Sequence, residues 1–567
     1  MKTMQLSGAN GNATQRLILS RRSLLRLMGG AALSPALLFC AGCGSDASSS
    51  SKGAATQDLD TSRFIVAIED EPDTVDFQCT TIFYTVATNV FDRLVEMEFI
   101  DEENVAVVPA LAESWEESED GLTYTFHLRE GVTFSNGSPL TSSDVLYTLT
   151  RLLTHPDSCN QGIADIILGA DRLMAGETDQ LEGFKILSDL DFEITLEEPF
   201  EAFLACLTMP GASILDEEST KEAGDLFGQD PAHTIGTGPL ILSKWEPGKG
   251  MLLTANKDSW WGAPHCEGVD MRFLTEPEEI RSLFEQGKLD ILDLDDLGAT
   301  AEFFIHGDIY QGRMHEVPRI AITYIALNES VAPLDDVRVR KALQLALDRG
   351  MLLEAVYSGR GSVENGIYPH GLLGFNPDLP EIPYDPEQAR ALLEEAGYGD
   401  GFDLTFSVKS SSTQSEMSLA DLVVSLWKEV GVRAAVKVID ESEFMSQRKS
   451  GGLACYSAMW TADYDDPDNF VYTFFGSKEN TTFRSICYTR DDVMERVRKA
   501  RAIRDADERI KEYQDLERII VQEDAAWIPL FTRMRLYLAS ERLEDFSYIW
   551  NGSVKSAYRW MSVSETS

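Results

Sequence analysis

Between Asp385 and Ile439 the sequence spells helix, strand, helix, strand, and that run limits the chain to folds built on a parallel sheet. Asp385-Pro386-Glu387-Gln388 is a helix start. Asp385 stands as N-cap, Pro386 takes the first helical position, and Gln388 closes a capping box. Ala389, Leu392, Leu393 and Ala396 recur on one face, and Gly397 is the stop. A strand over 404–408, a helix over about 415–430 and a strand over 434–439 complete a βαβ unit. Its crossover is expected to be right-handed.

The same alternation fills the rest of the chain past residue 57 and indicates an α/β class. Phe64-Ile65-Val66-Ala67-Ile68 reads as a buried strand, 124–128 as a half-exposed one, and 142–153 as a helix. Val339, Leu343 and Ala346 line a helix expected over 336–348. Residues 491–522 carry a helical pattern, with Met494, Val497, Ile510, Tyr513, Leu516 and Ile520 as candidate core positions. These stripes mark a core and carry no chemistry.

The N-terminus is of another kind. Its first 42 residues hold Lys2, Arg16, Arg21, Arg22 and Arg26 and no acidic residue. Ser20-Arg21-Arg22-Ser23-Leu24-Leu25-Arg26 resembles the twin-arginine export motif. The apolar stretch 27–39 is broken by Gly29, Gly30 and Pro35, and it is too short to span a bilayer stably. Ala41-Gly42-Cys43 looks like a lipobox, with Cys40 where Leu is usual. Cleavage before Cys43 and acylation of its thiol are the expectation; an ordinary transmembrane anchor is the alternative. Residues 44–57, rich in Ser, Gly and Ala, read as a flexible tether.

Without that segment the chain keeps 44 basic against 94 acidic residues, a charge of −50. Such a body repels nucleic acid and anionic headgroups. Attraction of cationic ligands and plain solubility both fit the excess. Six cysteines remain: Cys79, Cys159, Cys206, Cys266, Cys455 and Cys487. Export permits disulfides among them, and spacing does not choose a pairing. None of these six forms a C-x-x-C pair, and the chain has no G-x-S-x-G, no H-E-x-x-H and no histidine pair at helix spacing, so an enzyme, a resident metal and a cofactor are not expected. Gly236-Thr237-Gly238 lacks a third glycine and is followed by Pro239, which excludes a dinucleotide loop.

Six further segments stand out, in order. They are Pro109-Ala110-Leu111-Ala112-Glu113-Ser114-Trp115 with its continuation to Val145; Gly236-Thr237-Gly238-Pro239 with Trp245 and Trp260-Trp261; and the run from Leu334 to Arg349. The others are Tyr384-Asp385-Pro386, Trp460-Thr461-Ala462-Asp463-Tyr464-Asp465-Asp466-Pro467, and Ala525-Ala526-Trp527-Ile528-Pro529-Leu530-Phe531. Together they cover about 62–560 and resemble the family 5 solute-binding proteins, the oligopeptide-, dipeptide- and nickel-binding class.

The resemblance implies a bilobed periplasmic-binding-protein fold, type II, of the three-domain peptide-binding class. Mapped here, residues 1–42 are the export signal and 43–59 the lipid-anchored tether. Lobe 1 takes 60–95, 235–320 and 530–567, an extra domain takes 96–234, and lobe 2 takes 321–529. The implied protein is an extracytoplasmic lipoprotein and monomer. It hands a peptide ligand to an ABC permease and its ATPase.

Asp463 matches an aspartate that pairs with a peptide's α-ammonium, and Trp460 matches an aromatic of a side-chain pocket. The backbone of Met459 and Thr461 would extend a β-ladder to the ligand. Tyr84, in the loop 80–84, falls near the opposite wall of the cleft. Other readings stay open: Asp463 as a turn or cap residue in its acidic run, and Trp460 as plain core. A nickel chelate, haem or oligosaccharide cargo also stays open, as does a peptide-sensing receptor role.

Overall fold

The computed structural model describes residues 62–564, apart from 69–70, 82 and 102–103. The export motif, Cys43 and the tether lie outside the described residues.

Two large sheets organise the body. Phe64–Ile68 is buried along nearly its whole length and pairs in parallel with Gly268–Phe273. It sits near the centre of a seven-stranded sheet that also takes Met314–Val317, Arg535–Ala539, Ile291–Asp293, Gly250–Ala255 and Leu240–Glu246. The second sheet has six strands, ordered Gly361–Val363, Trp527–Arg533, Ala321–Leu327, Cys455–Thr461, Asp403–Lys409 and Arg433–Ile439. All seven residues of Ala321–Leu327 are buried, as expected of a central strand covered on both faces. The chain passes between these sheets twice over very short links, from Val317 to Ala321 and from Arg533 to Arg535. A four-stranded sheet, Ala112–Glu117, Thr123–Leu128, Asp191–Thr195 and Phe184–Ile186, is separate from both.

The βαβ unit forms as read. Asp403–Lys409 and Arg433–Ile439 pair in parallel through seven residues, with helix Gln414–Glu429 between them. Asp385 caps its helix by accepting from Gln388 N at 2.8 Å. The reciprocal half of the expected capping box does not form, because Asp385 N donates instead to Leu345 O at 2.8 Å. The helix expected over 336–348 stops at Leu345, and Asp348 caps a second helix, Arg349–Tyr357, by accepting from Met351 N.

The helical pattern over 491–522 also breaks. Asp491–Ala500 and Ala506–Arg518 are separate helices, and Ile519–Glu523 winds as a π-turn. Asp505 starts the second by accepting from Glu508 N at 2.9 Å. The break turns two arginines toward the four-stranded sheet, the Phe200 segment after it and the helix Asp468–Phe475. Arg501 lies over the Phe200 ring at 4.1 Å and the Tyr472 ring at 4.0 Å. Arg504 pairs with Glu117 at 2.6 Å.

Gly236 and Gly238 mark a tight crossing. A Cβ on Gly238 would sit 2.6 Å from Val90 C, and one on Gly236 would sit 2.1 Å from Val90 O. Only a residue without a side chain lets these backbones approach so closely. Thr237 between them donates to Asp92 Oδ2 at 2.8 Å.

Candidate functional site

A cavity of about 550 Å³ opens beside Arg535 of the seven-stranded sheet and beside Asp463, two residues past the Cys455–Thr461 strand of the other. Tyr84, Thr88, Arg93 and Glu96 line one side, Asp463 and Arg535 another, and Tyr548, Trp550, Arg559 and Trp560 a third. Their positions follow from local folding. Tyr84 immediately precedes the short helix Thr85–Val90, and Asp463 follows the end of the strand Cys455–Thr461.

Asp463 is open to the cavity solvent although protein surrounds it on every side. That surrounding raises its carboxyl above the usual aspartate range, while the Asn469 hydrogen bond and the Arg484 charge pull the other way. Asn469 Nδ2 donates to Asp463 Oδ2 at 3.2 Å, and Asp463 N donates to Asn469 Oδ1 at 3.1 Å. Among the described residues no cation lies within 4 Å of this carboxylate. Arg484 is committed elsewhere, stacked on Trp460 at 4.6 Å and on Phe474 at 5.0 Å. A carboxylate that faces a cavity and makes no ion pair among the described residues favours a cationic guest.

The neighbours of Asp463 also hold this loop. Asp466 Oδ1 accepts from Asp468 N, and Asp465 Oδ1 accepts from Leu373 N. Tyr84 shares the cavity with Asp463. Its hydroxyl lies 2.9 Å from Thr80 O and 3.2 Å from Asn160 Oδ1. Burial raises its phenol well above the ordinary value, and the Asp463 charge adds to that.

Met459, Trp460 and Thr461 do not line the cavity. Trp460 turns to the packing side of its strand, its ring edge-on to Phe474 at 5.3 Å and its Nε1 donating to Asn469 at 3.2 Å. Alternation sends Met459 and Thr461 to the other face, where Met459 Sδ lies 3.5 Å from Arg533 Nη2. The backbone of this strand is nevertheless available. It pairs through seven residues with Ala321–Leu327, but on its other side it meets Asp403–Lys409 only at Cys455. From Tyr456 to Thr461 that edge has no partner strand among the described residues.

Sequence reading missed Asn469, Arg484 and the C-terminal wall. Asn469 stands just past the acidic run, and its amide was the legible signal. The wall had only a density of aromatics, Phe546, Tyr548, Trp550, Tyr558 and Trp560, as its mark. Arg559 lies over Trp261 at 3.9 Å and Trp560 at 4.5 Å. Asp92 fixes the tryptophan pair by accepting from Trp260 Nε1 at 2.8 Å and Trp261 Nε1 at 2.9 Å.

Two large sheets joined by paired short crossovers, with a cavity beside the ends of both, define a bilobed binding protein of the type II, three-domain periplasmic class. The family model for bacterial extracellular solute-binding proteins, family 5 Middle, matches residues 106–482, and the chain belongs to that family. It is a family of binding proteins, not of enzymes. The chain is 27% identical over 478 residues to the heme-binding protein A of Haemophilus influenzae, covering 82% of this chain and 86% of that protein. It is 28% identical over 473 residues to the dipeptide-binding protein of Escherichia coli, covering 79% and 84%. Among solved structures, HbpA2 from Haemophilus parasuis superposes with a TM-score of 0.73 at 26% identity, covering 89% of this chain and all of that one.

Proposed function

We propose that this protein captures peptides between its two lobes outside the cytoplasm and delivers them to an ABC permease and its ATPase. Asp463 receives the peptide's α-ammonium, and the unpaired edge of Cys455–Thr461 takes its backbone as an added strand. The lone carboxylate of Asp463, confined by protein and without a cation, carries this reading. The dipeptide-binding relative from Escherichia coli agrees with it.

Residues 60–95, 235–320 and 530–567 form lobe 1 in this account, 96–234 the extra domain, and 321–529 lobe 2. The membership of the three sheets supports that division except at 530–533, which belong to the strand Trp527–Arg533 of the second sheet, so lobe 1 resumes after 534. The short links at 318–320 and 534 serve as hinges. A lipid on Cys43 holds the monomer at the membrane surface.

Thermal shift against di- to octapeptides tests the reading, with N-acetylated copies, nickel chelates and haemin alongside. A ligand at 100 times its Kd adds about 2.7 kcal/mol of stability. Stabilisation by free peptides is the expected result. Stabilisation by haemin or nickel chelate alone would replace the peptide with that cargo.

A further inference from the structure

Cys79 and Cys159 come together at the foot of the Tyr84 wall. Cys159 N donates to Gln78 O at 3.0 Å, and Cys159 Sγ lies 3.6 Å from the same oxygen. Gln78 O and the Cα of Cys79 belong to the same planar peptide unit, so this bond sets the two cysteine backbones side by side. Disulfides use Cα separations of about 4.4–6.8 Å. The other four cysteines of the described residues are three buried ones and the isolated Cys487, whereas Cys159 is exposed and Cys79 half-buried.

The surroundings suit thiol exchange. His155 Nδ1 lies 3.3 Å from Cys79 Sγ. The same nitrogen accepts from Asp157 N at 3.3 Å, which places its lone pair on Nδ1 and leaves it able to take a proton. Asn160, next in sequence to Cys159, donates to Phe77 O at 2.9 Å and to Thr80 O at 3.0 Å. The two segments are therefore already held side by side, with Tyr84 hydrogen-bonded across them.

We propose that Cys79 and Cys159 form a disulfide that fastens the Tyr84 wall of the cavity, made by exchange with a small-molecule or protein disulfide. The exposed Cys159 loses its proton to solvent. Its thiolate attacks one sulfur of the incoming disulfide, forming a mixed disulfide and releasing one thiolate. Cys79 passes its proton to His155 and attacks the Cys159 sulfur. The Cys79–Cys159 bond forms as the second thiolate leaves. Two protein thiols are oxidised and one external disulfide is reduced to two thiols. Burial pushes the Cys79 thiol up to about 12 and raises the Cys159 thiol as well, so the exchange should quicken as pH rises.

The test uses the reduced full chain incubated with oxidised glutathione, acid-quenched, alkylated under denaturing conditions and digested without reductant. A linked peptide joining Cys79 to Cys159, absent after dithiothreitol and absent in Cys159→Ser, is expected. Alkylation of both cysteines, glutathione left on Cys159, or another pairing would overturn the proposal. Hydrogen exchange over 80–90 should slow at least several-fold on oxidation in the wild type and not in Cys159→Ser; an unchanged rate would overturn the fastening of the wall. No ligand enters either measurement, so failure here leaves the peptide reading where it stands.

Discussion

In the proposed site Asp463 acts by being unsatisfied. Its carboxylate keeps one side-chain partner, Asn469, and meets the cavity with its remaining lone pairs. Asp463→Ala is expected to weaken peptide binding by about 2–5 kcal/mol, the range for removing one member of a buried hydrogen-bonded charge pair, as read by calorimetry. Its raised carboxyl sets the pH dependence. The carboxylate takes up a proton at a higher pH than an exposed aspartate would, so peptide affinity should fall on acidification above the usual aspartate range. Asn469→Ala leaves Trp460 Nε1 and Asp463 N without their acceptor. It should raise Kd roughly tenfold, about 1.4 kcal/mol. Glu517 shows the same chemistry put to a structural use. It is buried, accepts from Ile367 N and Tyr368 N, and its carboxyl is pushed up to about 8 by burial. A raised carboxyl holds its proton in the folded state, so stability is full below the unfolded value of about 4.3 and declines as pH rises toward 8. Glu517→Gln should flatten that decline in denaturant titrations between pH 5 and 9. Asp463 was legible from its motif. The protonated state of Glu517 was not, since sequence shows a charge and not the packing around it.

The elements were most legible where one local signal sufficed. Periodicity and a proline-led helix start located the βαβ unit to within a residue or so. It failed at 491–522, where the apolar stripe runs on while Arg501 and Arg504 leave the helix to grip another sheet. Such a break is decided by distant partners, which periodicity does not see. The loop after the Cys455–Thr461 strand is held by Asp466, which takes Arg509 of the helix Ala506–Arg518 in a bidentate pair at 2.7 and 2.8 Å, both side chains buried. Asp466→Ala strands that guanidinium and should cost about 3–5 kcal/mol in urea denaturation. Gly238→Ala pushes a methyl against Val90 and should cost about 1–3 kcal/mol in the same measurement.

At the scale of the molecule, two short links join the two large sheets, and in the proposed division side-chain packing between the lobes sets the preferred opening. Arg501 and Arg504 reach from the 501–504 segment to Phe200, Glu117 and Glu201 of the region beside the four-stranded sheet. In the proposed lobe division these contacts bridge lobe 2 and the extra domain, so they favour the closed form. Arg504→Glu places like charges there and should shift the ligand-free protein toward the open form, lowering affinity and enlarging the radius of gyration in solution scattering. The order of segments along the chain made this architecture readable in advance. The cavity's aromatic wall was not, because Trp261 and the 548–560 segment meet only after folding. The central claim is that a peptide's free ammonium docks on Asp463. Calorimetry of one tight-binding peptide and its N-acetylated copy against wild type and Asp463→Asn tests it most directly. The account expects acetylation to abolish most of the affinity in wild type and to matter little in Asp463→Asn. Equal penalties for acetylation in both proteins would contradict it.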